Sequence, residues 1–182
     1  MRGWVNIANS ITLLRLILTP FVILAILHDR PWQALGLFFL AAVTDVLDGA
    51  AARWSGTTTQ TGAYLDPVVD KCLMSGVFIA LAAAGQFPKW IVALVLGRDL
   101  YILIGVGVIA LFSRNRKFPP SIWGKLSTFV QIATVVTRLT QNALQLPVLD
   151  AISTAMLWVC AAFTLWSGLH YTWLGFQLTK PN

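Results

Sequence analysis

The sequence predicts an all-α, polytopic membrane protein with about six transmembrane helices and both termini in the cytoplasm. Three observations predict it. Of 182 residues, 57% are hydrophobic and 11% charged, where a soluble domain would carry about 25% charged residues to wet its surface. The mean hydropathy is +0.74. Six apolar runs of spanning length follow one another, and the basic residues fall mainly in alternate connections. Each crossing of the roughly 30 Å hydrocarbon layer takes about 20 residues, so the length suits one domain, 1–182, with no room for a second.

The runs are 10–27, 32–52, 66–84, 90–112, 122–139 and 151–174. No small-residue cleavage pattern follows the first, which is expected to remain as a membrane helix. Pro20 removes one of its hydrogen bonds and predicts a kink. Barrel strands would alternate apolar and polar residues, whereas stretches such as Leu-Phe-Phe-Leu-Ala-Ala-Val (37–43) are apolar on every side, as buried or lipid-facing helices are. Asp29-Arg30-Pro31, Gln86-Phe87-Pro88, Phe118-Pro119-Pro120 and Leu146-Pro147 punctuate the runs as turns. Arg2, Arg53, Arg114, Arg116, Lys117 and Lys180 lie on one side of the predicted membrane, against Arg30 and Lys89 on the other. Lys and Arg are retained on the cytoplasmic side, which sets the orientation. The longest connection, 53–65, is then a cytoplasmic loop.

The net charge of +6 sits in the loops of an apolar chain. It points to membrane lipids and an anionic substrate, and not to nucleic acid. Cys72 and Cys160 stand singly in apolar runs and show neither metal-site spacing nor a disulfide framework.

Charges inside spans are costly and mark functional sites. Here they are Arg15, Asp45, Asp48, Asp66, Asp70, Lys71, Arg98, Asp99 and Arg138. All seven acids of the chain are aspartates, and four of them lie between positions 45 and 70. Asp45 and Asp48 are spaced i, i+3, and Asp66 and Asp70 i, i+4, so each pair shares a helix face. Four carboxylates in a partly desolvated pocket require cations to neutralise them. All-oxygen ligation implies Mg²⁺ or Mn²⁺, and four carboxylates exceed what one octahedral ion that keeps its waters needs, so two ions are expected. The competing reading is that the acids form buried salt bridges with Arg15, Lys71, Arg98 or Arg138.

In full the stretch reads Asp45-Val-Leu-Asp48-Gly49-Ala-Ala-Ala52-Arg53, eight residues, Gly62, three residues, Asp66, three residues, Asp70. It resembles, without a mismatch, the signature of the CDP-alcohol phosphatidyltransferases, membrane enzymes that move a phosphatidyl or similar group from a CDP-linked donor to an alcohol. The resemblance implies that Asp45, Asp48 and Asp66 hold the metals, and that Asp70 is the general base and a further candidate ligand. Gly49 and Ala52 would let the donor nucleotide approach the helix backbone closely. Arg53 would offer the donor phosphates a bidentate fork, and Gly62 would serve a tight loop entry before Asp66. Arg15, Lys71 and Lys125, at cytoplasmic ends of their spans, are candidates to neutralise an anionic acceptor, with snorkelling of Lys125 to lipid head groups as the competing reading.

The segments Asn6 to Arg15 and Pro120 to Thr128 resemble stretches of the glycerol-lipid branch of that family. The implied donor is CDP-diacylglycerol and the implied acceptor glycerol 3-phosphate, with phosphatidylglycerol, giving cardiolipin, as the alternative. Arg98-Asp99 is a departure, since Arg-Asp resembles the cardiolipin enzymes here and Arg-Glu the glycerol-phosphate ones; the pair is expected to be an internal charge pair. The orientation read from the basic residues places the aspartates, and so the active site, at the cytoplasmic face; a bacterial inner membrane is the expected location, and the resemblance implies a homodimer. A cation-coupled transporter would also bury carboxylates, but near the midplane. His170, among Trp166, Tyr171 and Trp173, reads as part of an interfacial aromatic belt.

Overall fold

The computed structural model describes residues 7–55, 60–112 and 121–178; within these, the side chains at 7–13, 45–55, 60–68, 106–112 and 175–178 lie outside the description. The described residues form six helices and no strand: α1 (Ile7–Leu27), α2 (Pro31–Ser55), α3 (Gln60–Ala83), α4 (Lys89–Phe112), α5 (Ile122–Leu144) and α6 (Pro147–Leu178). Each predicted run therefore lies in a helix, save that the third runs one residue past the end of α3, to Ala84. Pro31 and Pro147 open their helices, where a missing N–H costs nothing. Pro20 lies inside α1, which is assigned as one helix on both sides of it.

The connection 53–65 differs from its expectation. Helix α2 continues to Ser55 and α3 begins at Gln60, so most of the supposed loop is helical. Gly62 accordingly sits in the first turn of α3 and not in a loop entry. Thr and Gln carry no apolar periodicity, so the polar first turn of a helix reads as a loop in hydropathy alone.

The helices divide into two compact units, Met1–Phe87 with Asn142–Leu144, and Pro88–Gln141 with Gln145–Asn182. In the first, α1 packs against both α2 and α3. Its buried stripe, Arg15, Leu18, Val22 and Ala25, recurs every three or four residues, as one helix face must. On the helices it packs against, Ala34, Phe38 and Ala41 of α2 and Val69, Leu73 and Val77 of α3 are buried in turn. In the second unit α4 packs on α6, and Thr134 Oγ1 of α5 donates to the Met156 carbonyl of α6 at 3.3 Å.

The outward faces are apolar. Phe39, Leu103, Ile122, Val148, Trp158 and Leu169 are each at least 66% exposed, a surface that suits lipid and not water. By length and composition the segment Pro147–Leu174 can cross a membrane, and 14–27 and 31–44 are shorter apolar helical stretches.

Candidate active site

In the first unit Arg15 falls on the stripe that α1 buries, and this is why so polar a side chain is only 1% exposed. Its Nη1 donates to Oδ1 of Asp70 on α3. Asp70 follows buried Val69 in α3 and keeps 47% of its side chain exposed. One oxygen of the candidate base is thus oriented by a buried cation. One turn further along α1, Thr19 donates to the Arg15 carbonyl at 2.8 Å, and a Cβ on Gly76 of α3 would lie 2.7 Å from Ile23 Cδ1. The missing side chain at Gly76 lets α1 and α3 approach closely there. Lys71, next to Asp70, is exposed.

Asp45, Asp48, Gly49, Ala52 and Arg53 lie on the C-terminal half of α2, and Gly62 and Asp66 near the start of α3; their side chains lie outside the described residues. Among the described residues no group of three His, Cys, Asp or Glu side chains forms a candidate metal site. The donor set fits a divalent cation in its chemistry: two aspartates a turn apart on α2 and two a turn apart on α3, on helices that both seat on α1, offer only hard oxygen ligands.

In the second unit Arg98 of α4 pairs through Nη1 with Asp99 Oδ1 at 2.8 Å, the expected internal charge pair. Its Nη2 donates to Ser167 Oγ of α6, and its Cζ lies 5.8 Å from the centre of the Tyr171 ring, within cation–π range. Arg98 also lines an open groove of about 330 Å³ between α4 and α6, together with Gly97, Tyr101, Thr164 and Gly168. Lys125 is exposed in the first turn of α5. That turn is fastened to α6: the Ser121 N–H donates to Tyr171 Oη at 3.3 Å, and Ser121 Oγ lies 3.2 Å from His170 Nδ1. At the other end of the helix Arg138 bonds Gln141 at 3.3 Å and faces Asp150 at 3.8 Å.

A family model described as CDP-alcohol phosphatidyltransferase matches residues 5–166. The chain belongs to the CDP-alcohol phosphatidyltransferase family. Within that family it is 38% identical over 137 residues to a "Probable phosphatidylglycerophosphate synthase" of Mycobacterium tuberculosis, covering 71% of this chain and 64% of the relative. The chain therefore spans less than two thirds of that relative's length. It is 30% identical over 192 residues to a "CDP-diacylglycerol--glycerol-3-phosphate 3-phosphatidyltransferase" of Bacillus subtilis, covering 97% and 98% of the two chains. It is likewise 30% identical over 190 residues to a "Cardiolipin synthase (CMP-forming)" of Rattus norvegicus, covering 91% of this chain and 61% of the relative.

Sequence reasoning did not single out Ser121 and Tyr171, and placed His170 in an aromatic belt. The available signal was the polar or small series Thr164, Ser167, Gly168 and Tyr171 at i, i+3, i+4 and i+7 in an otherwise apolar helix, a stripe that must face protein and not lipid.

Proposed function

We propose that this family member transfers the phosphatidyl group of CDP-diacylglycerol to glycerol 3-phosphate, releasing CMP and forming phosphatidylglycerophosphate. The observation that carries the reading is the full aspartate signature on α2 and α3 inside a family match that runs from residue 5 to 166. The names of the Mycobacterium and Bacillus relatives support the acceptor.

The acceptor hydroxyl attacks the phosphorus that carries the diacylglycerol. The bond from that phosphorus to the bridging pyrophosphate oxygen breaks, and CMP leaves with the oxygen. Asp70 takes the hydroxyl proton, with its carboxylate held by Arg15. Arg53 grips the donor phosphates with two parallel N–H groups. Asp45, Asp48 and Asp66, with Asp70 as a further candidate, would hold Mg²⁺ or Mn²⁺. Two such ions would neutralise the pyrophosphate oxygens and the departing CMP phosphate. Lys71, an exposed cation next to Asp70, is the seat for the phosphate of the acceptor. Arg15 has Asp70 as an immediate partner, and its contribution to the acceptor runs through that carboxylate.

All six helices cross the membrane in this reading, with both termini and the active site on the cytoplasmic side of a bacterial inner membrane. Residues 1–182 act as one catalytic domain, and the chain pairs as a homodimer. A second reading, transfer to phosphatidylglycerol to give cardiolipin, is favoured by Arg98-Asp99 and by the name of the rat relative. Identification of the lipid product by mass spectrometry, from purified protein given CDP-diacylglycerol, Mg²⁺ and glycerol 3-phosphate, tests the proposal; an unchanged CDP-lipid would overturn it.

A further inference from the structure

Helices α4 and α6 run side by side in the same direction: Trp90 faces Trp158 with ring centres 5.4 Å apart, Arg98 reaches Ser167, and Tyr101 Oη lies 2.8 Å from Thr172 Oγ1. The open groove of about 330 Å³ follows this seam and changes character along it. Leu94, Leu165 and Leu169 wall its apolar part, the last two 54% and 67% exposed. The hydroxyls of Tyr101 and Thr172 close the other end. That polar end lies level with the start of α5, because Tyr171, next to Thr172, accepts from the Ser121 N–H at 3.3 Å, and a Cβ on Gly124 would lie 2.8 Å from its Oη. From Ala93 to Tyr101 the groove follows about 12 Å of helix, most of one leaflet's share of the roughly 30 Å hydrocarbon layer. Arg98 stands between the two parts. Its side chain is 8% exposed, and Nη1 and Nη2 are taken by Asp99 and Ser167. Its Nε has no hydrogen-bond partner among the described residues, and a buried donor in a membrane segment needs one.

We propose that this groove binds one phospholipid of the surrounding membrane: an acyl chain lies along Leu94, Leu165 and Leu169, and the ester and phosphate oxygens at its polar end accept from Arg98 and from the hydroxyls of Tyr101 and Thr172. The proposal rests on the reading that α4 and α6 cross the membrane, with the start of α5 at its cytoplasmic face. The gradient from apolar to donor-rich, over about the depth of one leaflet, is the polarity of a glycerophospholipid and of no soluble ligand. Arg98, the cation among the lining residues, is already offset by Asp99. The groove therefore takes the ester and phosphate that membrane phospholipids share, whatever their head group, and has no spare cation for the pyrophosphate of a CDP-lipid.

The test titrates the purified full-length protein in detergent with phosphatidylethanolamine and, separately, with phosphatidylglycerol, and counts the lipids retained by native mass spectrometry. One lipid per chain is expected to saturate ahead of any further adduct, with affinities for the two lipids within a few fold of each other. A Cβ on Gly97 would meet nothing within 4 Å, so Gly97→Leu puts its side chain into the groove without a clash. It should weaken the first lipid about tenfold, as keeping about two methylenes from burial would. Equal affinity in Gly97→Leu and the parent chain, or binding that never saturates, would overturn the proposal. So would phosphatidylglycerol bound far more tightly than phosphatidylethanolamine, or displacement of the lipid one for one by CDP-diacylglycerol, which would make the groove the donor's seat. Should Gly97→Leu fail to fold, Tyr101→Phe carries the test: loss of one donor should weaken the lipid a few fold, roughly the worth of one hydrogen bond, and an unmoved affinity would overturn the proposal. CMP release by the same preparation separates this proposal from the proposed reaction. A chain that holds one lipid but releases no CMP with glycerol 3-phosphate would support the groove and overturn the transfer. A chain that releases CMP but retains no phospholipid would overturn the groove alone.

Discussion

The buried guanidinium of Arg15 on α1 donates to the half-exposed carboxylate of Asp70 on α3, so the proposed proton acceptor is oriented by a residue 55 positions away in sequence. The pair is unequal. Arg15 is 1% exposed and Asp70 47%, and the cost of removing a partner falls on the charge that stays behind in low dielectric. Asp70→Asn should therefore lower the unfolding temperature in detergent more than Arg15→Met does, the first leaving a buried cation and the second a carboxylate that water can reach. Equal losses, or the reverse order, would show that burial does not set the balance of this pair.

Asp70→Asn should also separate binding from turnover. Loss of a general base costs about 10² to 10⁴ in rate, so the variant should bind CDP-diacylglycerol and divalent metal while releasing CMP that much more slowly. Metal titration of the same variant decides its role: if metal affinity falls together with the rate, Asp70 is a ligand and not the base.

Activity should require a divalent cation, vanish in excess chelator and return with Mg²⁺ or Mn²⁺. Asp45→Asn, Asp48→Asn and Asp66→Asn should each abolish it, because each removes a ligand charge. Full turnover in chelator would remove the metal from the account.

Arg53→Lys keeps the charge but loses the planar fork. The expected outcome is a raised KM for the CDP-lipid with thermal stability close to that of the parent chain. A donor KM equal to the parent's would place the donor phosphates elsewhere.

The sequence makes the six helices legible because spanning runs are long and apolar on every side, a pattern that few other structures share. Helix ends are harder: Gln60 to Ala63 is polar or small enough to pass for loop, yet it is helical. The signature residues could be named from spacing because i, i+3 and i, i+4 are local relations. Arg15 with Asp70 could be proposed only as one among several salt-bridge pairings, since the partner of a buried charge depends on which helices pack together. The fastening of Ser121 and Gly124 to Tyr171 lies further from view. It joins residues about 50 apart, and aromatic side chains near a membrane interface read as lipid anchors unless the facing glycine is known.

The central claim is transfer to glycerol 3-phosphate, and the initial rate of CMP release measures it most directly. Purified protein with CDP-diacylglycerol and Mg²⁺ is offered glycerol 3-phosphate in one reaction and phosphatidylglycerol in another. The account predicts rapid CMP release with glycerol 3-phosphate and only a background rate with phosphatidylglycerol. Faster release with phosphatidylglycerol would contradict it and make the chain a cardiolipin-forming member of the family.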